Sequence, residues 1–278
     1  MLPERVTAKR YKKAEGENTS WGKFRNSTPR DHMARYIFAA NLIQGSPEMV
    51  IDAASGSGWG THYLATHTDA GRVIGLDCDE DAICEARNEF SLNSRVRFYK
   101  IDLADLQDTQ TIEPADWVVS FETLEHVSCE QNLVFLRNLA RLHTGEGQLV
   151  ISTPNAPLFS PYAERENSPW YKYHQKEYGL DQFLEVLDKG GWEIKNIYGQ
   201  RFVDREKYLK VANLTFPFRI LAKHLGLPWN HRLYRLPIMF LITYYCFNAD
   251  SQVKPIVSGC QKEPVFLLAV CNKKYTGI

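Results

Sequence analysis

The 278-residue sequence has no net charge, no paired-cysteine motif, no internal repeat and no apolar run of membrane length. Lys+Arg and Asp+Glu both total 33. A protein that grips a long stretch of DNA or RNA usually carries a basic excess, so the balance argues against a long nucleic acid as partner. The six cysteines, Cys78, Cys84, Cys129, Cys246, Cys260 and Cys271, form neither a CxxC pair nor a Cys/His ladder. With no secretory apolar region in Met1–Arg10, they read as reduced thiols of a cytoplasmic protein. The longest apolar run, Leu236 to Phe247, holds about a dozen residues against the ~20 that span a bilayer. What remains, 44% hydrophobic and 24% charged residues, is the composition of an ordinary folded domain.

Residues 1–28 are polar and aperiodic and read as a flexible arm or lid, ahead of one domain over 29–278. From Pro29 the pattern turns helical, with Met33, Ile37, Ala40 and Leu42–Ile43 near one face. Five strand candidates follow: Met49–Asp52, Val73–Asp77, Val96–Ile101, Trp117–Phe121 and Gln148–Thr153. Helical stretches near Thr61–Thr66, Glu80–Phe90 and Glu130–Leu142 separate them. This alternation predicts an α/β fold with a doubly wound, mostly parallel sheet. A helix at Asp181–Lys189 and strands at Trp192–Tyr198 and Val265–Cys271 bring the expected count to seven strands. Residues 199–262 form an insertion before the last strand, rich in aromatic and basic residues.

Val50-Ile51-Asp52-Ala53-Ala54-Ser55-Gly56-Ser57-Gly58-Trp59-Gly60 carries the strongest local signal. A strand running into three glycines and then a helix lets a cofactor approach the backbone closely. Asp77 ends the second strand about 25 residues later, where an acid can accept from both ribose hydroxyls. Asp102 follows the third strand, placed to accept from an adenine amino group. Singly each acid could equally cap a helix; together, at the carboxyl ends of three strands, they outline a nucleoside pocket. At the end of the fourth strand stands Phe121-Glu122-Thr123-Leu124-Glu125-His126-Val127. A helix starting there would project Glu122, Glu125 and His126 from one face, a set suited to a divalent cation or to acid–base work. The plainer alternative is a Glu and a His that only hold loops.

These ordered motifs resemble the class I S-adenosylmethionine-dependent methyltransferases over roughly residues 31–195. The resemblance implies a Rossmann-like fold and S-adenosylmethionine as cofactor. The glycine loop (Gly56, Gly58, Gly60) would lie under its methionine part, Asp77 on the ribose and Asp102 on the adenine, with Asp52, Ala54, Cys78, Leu103 and Phe121 lining the same site. Ala54 and Ser55 depart mildly from the family's usual Gly and Cys. A dehydrogenase, the other reading of the fold, is disfavoured because the GxGxxG spacing is absent.

Glu122-x-x-Glu125-His126, the Thr153-Pro154-Asn155 turn and Tyr173-His174-x-x-Glu177-Tyr178 look like the small-RNA 2′-O-methyltransferases, in which two Glu and two His bind Mg²⁺. That likeness implies Glu122, Glu125, His126 and His174 as ligands for Mg²⁺ or Mn²⁺, and His126, His174 and Glu122 as the catalytic set with or without metal. The region around Asp31-His32-Met33-Ala34-Arg35-Tyr36 resembles methyltransferases of surface-polysaccharide and glycan assembly, which would put His32, Arg35 and Tyr36 over the cofactor or substrate mouth; the alternative is a helix face with Arg35 in solvent. The resulting expectation is O-methylation of a sugar, glycan or other hydroxyl-rich small molecule. An N- or C-methyltransferase of a lipid or quinone-like molecule and a non-catalytic cofactor-binding scaffold remain open beside it. The run Leu236–Tyr245, preceded by Arg219, Lys223, His231, Arg232 and Arg235, reads either as a buried helix or as a contact with the inner membrane face, where a lipid-linked glycan would be met.

Overall fold

The computed structural model describes residues 27–105, 108–161, 173–225, 250–257 and 259–274. Residues 1–26 of the expected 1–28 arm and the Leu236–Tyr245 run fall outside them, whereas Ser27 and Thr28 already belong to the first helix. The elements are α1 (Ser27–Leu42), β1 (Met49–Ala53), α2 (Trp59–His67), β2 (Arg72–Asp77), α3 (Glu80–Phe90), β3 (Val96–Lys100), β4 (Trp117–Phe121), α4 (Asn132–Arg141), β5 (Leu149–Pro154), α5 (Ala156–Phe159), α6 (Leu180–Lys189), β6 (Trp192–Asp204), α7 (Arg205–His224), β7 (Lys254–Pro255) and β8 (Lys262–Lys273).

They build one sheet of order β3-β2-β1-β4-β5-β8-β6-β7. The first five strands pair in parallel; β8 runs antiparallel between β5 and β6, and β7 antiparallel to β6. The expected seven strands are therefore eight. The extra one is the two-residue edge Lys254–Pro255, too short to leave a periodic pattern and capped by a proline that suits only an edge. β6 also continues to Asp204, six residues beyond its predicted end, because β8 is long enough to pair with it throughout. The first part of the expected insertion is thus sheet, and α7 follows it.

Alternation along the strands sorts the core into two layers. Met49, Ile51 and Ala53 of β1 and Leu149 and Ile151 of β5 face α4 and α6, packing on Phe135, Leu136, Leu139, Phe183 and Leu187. Val50 and Val150 face the other way, onto Tyr36, Ala39 and Ala40 of α1, Leu64 and Ala65 of α2, and Ile83 and Ala86 of α3. Both faces of the sheet are covered, as a parallel sheet requires. α1 uses most of the face predicted for it, with Ala40 and Ile43 buried and Met33 and Leu42 packed against the same layer, but Ile37 is exposed, and Arg35 and Tyr36 are buried as well. Its entry is pinned by the Asp31–Arg201 ion pair at 2.8 Å, in which Arg201 takes a left-handed φ of 59° on β6.

Candidate active site

The carboxyl ends of β1, β2, β4 and β5 meet at one edge of the sheet, and the predicted residues lie along it. After β1 the chain enters left-handed backbone at Ala54 (φ 65°), Gly56 (φ 55°) and Gly58 (φ 79°). Glycine is enforced at two places by crowding. A Cβ on Gly58 would stand 2.6 Å from the Phe98 ring, and one on Gly60 1.9 Å from the Tyr36 ring. The loop is held from outside by Asp77, whose carboxylate accepts from the Gly56 amide at 2.8 Å and the Asp79 amide at 2.9 Å. Asp102 is exposed and accepts from the Ala104 amide at 2.9 Å; Cys78 is exposed, while Leu103 and Phe121 are buried.

Asp52 has a different place from the other acids. It is fully buried, and its carboxylate accepts from the hydroxyls of Tyr36 (3.0 and 3.2 Å) and Thr61 (2.7 Å). Burial pushes its pKa up to about 7, against the pull of those two hydroxyls. Asp52 thereby ties α1 and α2 to β1 beneath the glycine loop. Tyr36, expected at the mouth, is buried and closes this tie from the α1 side. His32 is half-buried on the same helix.

At the end of β4 the expected helix does not begin at Glu122. That residue is left-handed (φ 52°), and only a 3₁₀ turn, Leu124–His126, follows. The three side chains therefore cannot share a face, and Glu122 separates from the other two. Its carboxylate accepts from Ser152 Oγ at 2.7 Å and faces the Arg35 guanidinium at 3.5 Å. Arg35, only 1% exposed rather than in solvent, lies over the Phe266 ring at 4.7 Å.

Glu125, His126 and His174 do converge, each offering a ligand atom within 4.8 Å of the others. Backbone joins the two segments: the amides of Gln175 and Lys176 donate to the Glu125 carbonyl at 2.7 and 3.2 Å. His126 Nδ1 lies 3.1 Å from the Tyr173 carbonyl, which only accepts, so Nδ1 carries the proton and Nε2 the lone pair. His174 Nδ1 lies 2.6 Å from Glu177 Oε1, an arrangement that likewise leaves the lone pair on Nε2. Glu125 Oε2 accepts from Thr153 Oγ1 at 3.0 Å, while Oε1 is buried with no hydrogen-bond partner among the described residues. Burial, then the charge of Glu122, raises the Glu125 pKa well above the usual carboxylate range. Thus three of the four expected ligands are gathered and Glu122 is not among them.

Thr61, Thr153 and Glu177 hold Asp52, Glu125 and His174 and had been assigned no role. Thr153 and Glu177 carry a signal, the first in the Thr153-Pro154-Asn155 turn and the second in the three-residue spacing after His174, whereas Thr61 carries none. Phe159 stacks on His174 at 5.5 Å and packs at a tilt against Phe266 at 5.7 Å, linking this cluster to the ring beneath Arg35.

Residues 50–147 match the sequence family described as the methyltransferase domain. A probable S-adenosylmethionine-dependent methyltransferase of Mycobacterium tuberculosis is 32% identical over 143 residues, 51% of this chain and 48% of that protein. The chain spans about half the length of the M. tuberculosis relatives it matches. Among solved structures, the putative methyltransferase bound to the Haloferax volcanii Trm112 activator superposes with a TM-score of 0.58 at 14% identity, covering 97% of this chain and all of the other. The small RNA methyltransferase HEN1 superposes with a TM-score of 0.56 at 15% identity, covering 89% of this chain and 26% of that one. The fold is that of the Rossmann-like methyltransferases.

Proposed function

We propose that this chain is an S-adenosylmethionine-dependent O-methyltransferase acting on a hydroxyl of a sugar, glycan or other hydroxyl-rich small molecule, with a divalent cation held by Glu125, His126 and His174. Cofactor binding is supported by the glycine loop, by Asp77 at its edge and by the probable activity named for the mycobacterial relatives. The observation that carries the metal is the donor set itself. Two imidazoles with their Nδ1 atoms engaged and a carboxylate with one unpartnered buried oxygen converge within 4.8 Å. Such a two-histidine, one-carboxylate set suits Mn²⁺ better than Mg²⁺, which favours oxygen ligands and keeps its waters.

Methyl transfer from a sulfonium is an in-line displacement whose sulfide leaves without a proton. The protein must align the acceptor oxygen and weaken its O–H bond. A bound divalent cation supplies the second effect by lowering the hydroxyl's pKa. The protein's own part is to fix the ring of His174 through Glu177, to hold Glu125 through Thr153, and to keep Glu122 turned to Arg35. HEN1 is described as acting on small RNA; the zero net charge of this chain favours a small acceptor with neighbouring hydroxyls over a long RNA. A metal-free version has His126 or His174 as the base.

The test is calorimetric titration of Mn²⁺ and Mg²⁺ into protein loaded with S-adenosylhomocysteine, beside His174→Ala and Glu125→Gln. Stoichiometric binding lost in both variants is expected. No binding by the parent protein refutes the metal and leaves a histidine base. Retained S-adenosylhomocysteine binding in the variants separates loss of metal from loss of fold.

A further inference from the structure

His143 is wholly buried at the end of the sheet opposite the site, in the loop that leads from α4 into β5. The loop is pinned to the residues ahead of β4. The Ala115 amide donates to the Leu142 carbonyl at 2.8 Å, and the Thr144 amide to the Ala115 carbonyl at 2.9 Å. His143 adds two bonds of its own. Its Nδ1 accepts from the Gly145 amide at 2.9 Å, and its carbonyl accepts from Nζ of Lys273, the last residue of β8, at 2.8 Å. One residue earlier in β8, Asn272 Oδ1 accepts from Gln148 Nε2 at 3.0 Å. The end of β8 is thus fastened to this loop at two adjacent residues.

A backbone amide only donates, so Nδ1 carries no proton and the ring is neutral with its hydrogen on Nε2. A second proton has to go on Nδ1. It abolishes the Gly145 bond, sets that amide against another N–H, and places a cation in a dry site beside the Lys273 ammonium. Among the described residues, the charged groups facing the ring are Lys273 from β8 and Asp116 from ahead of β4, while β6 presents the edge of the Trp192 ring, 5.6 Å away. Asp116 is no ready counter-ion, since its carboxylate already accepts from the amides of Glu48 at 2.7 Å and Met49 at 3.2 Å. The proton is therefore accommodated when the ring leaves its site, which carries the His143 carbonyl away from Lys273. We propose that His143 is an acid-released latch: neutral, it fastens the end of β8 to the α4–β5 loop, and protonated, it lets residues 143–148 and 271–274 open while the rest of the sheet stays closed. Burial, then the charge of Lys273, holds its pKa down at about 4 against the 6.5 of a free imidazole. The closed state is thus fully favoured above pH 6.5 and loses ground as the pH falls toward 4.

The experiment is hydrogen–deuterium exchange of the full chain, read by mass spectrometry from pH 8 to pH 5, with protection corrected for the intrinsic pH dependence of exchange. A group with a pKa of 6.5 when open and about 4 when closed raises the opening equilibrium ~30-fold over that range. Peptides covering 143–148 and 271–274 should lose that much protection, and those covering β1 and β2 should not. His143→Asn keeps an acceptor near the Nδ1 position and does not titrate, so its protection should stay level with pH whatever its absolute value. Lys273→Met leaves the imidazole in place and removes the neighbouring cation, so its pH-dependent loss should be smaller than the parent's; it carries the test alone if His143→Asn does not fold. Level protection in the parent, an equal loss in His143→Asn or in Lys273→Met, or a loss shared evenly with β1 and β2 overturns the proposal.

Discussion

Replacing Asp52 by Asn isolates the consequence of burying that carboxyl group. The folded protein raises its pKa from 3.8 to about 7, chiefly by desolvation. Between those values the folded state keeps a proton that the unfolded chain releases, so stability falls as pH rises. The penalty is absent below the unfolded pKa and complete above the folded one. Integrating between pH 5 and pH 8 gives about 2–3 kcal/mol of lost stability from this single group. Asparagine keeps the shape and does not titrate. Its effect on the Tyr36 and Thr61 hydroxyl bonds is an offset independent of pH, and the contribution of Glu125 is common to both proteins and cancels in the difference. Urea unfolding at several pH values should therefore show the stability of Asp52→Asn gaining on the parent by about 2–3 kcal/mol from pH 5 to pH 8, equivalent to roughly 3–5 °C in melting temperature for a chain of this length. A constant difference across that range would refute the assignment of a buried, proton-holding Asp52.

Gly58→Ala should destabilise the fold by about 1–3 kcal/mol through overpacking against Phe98 and Ala86 and the positive φ, read as a lower melting temperature. Asp77→Ala should weaken S-adenosylhomocysteine binding by ~10- to 100-fold, measured by calorimetry, because it removes the acceptor that orders the Gly56 amide as well as the predicted ribose contact. Arg35→Met should cost about 1–3 kcal/mol in urea unfolding by removing the cation that faces the partly buried Glu122 carboxylate, and adding Glu122→Gln should recover much of that loss.

The strand–helix alternation was legible in the sequence because each element has its own period and a turn on either side. α3 and β4 have the predicted limits, and the parallel half of the sheet follows from them. The antiparallel half was less legible. β7 is two residues long, and the extension of β6 to Asp204 depends on a partner strand that comes some sixty residues later in the chain. At the site, motif spacing located Glu125, His126 and His174, but the helical geometry assumed for residues 122–126 misplaced Glu122. The left-handed turn there is set by Ser152 and Arg35, which local pattern does not reveal. The same reason applies to Arg35: nothing in its neighbours in sequence says that Phe266 will cover it.

β8 is the last of the described strands yet lies inside the sheet, between β5 and β6. Asn155, just beyond the Thr153 that holds Glu125, bonds to it twice, its amide donating to the Val265 carbonyl and its side chain to that of Pro264. Every other described strand emerges before β8 in synthesis, so β5 keeps an unpaired edge until β8 arrives, and β6 joins the sheet at β5 only through β8. The parallel half with its glycine loop can form on the ribosome, but the floor beneath Arg35 and the brace behind Thr153 cannot. The glycine loop after β1 should thus be an early feature of the nascent chain, and the β8 brace behind Thr153 a late one.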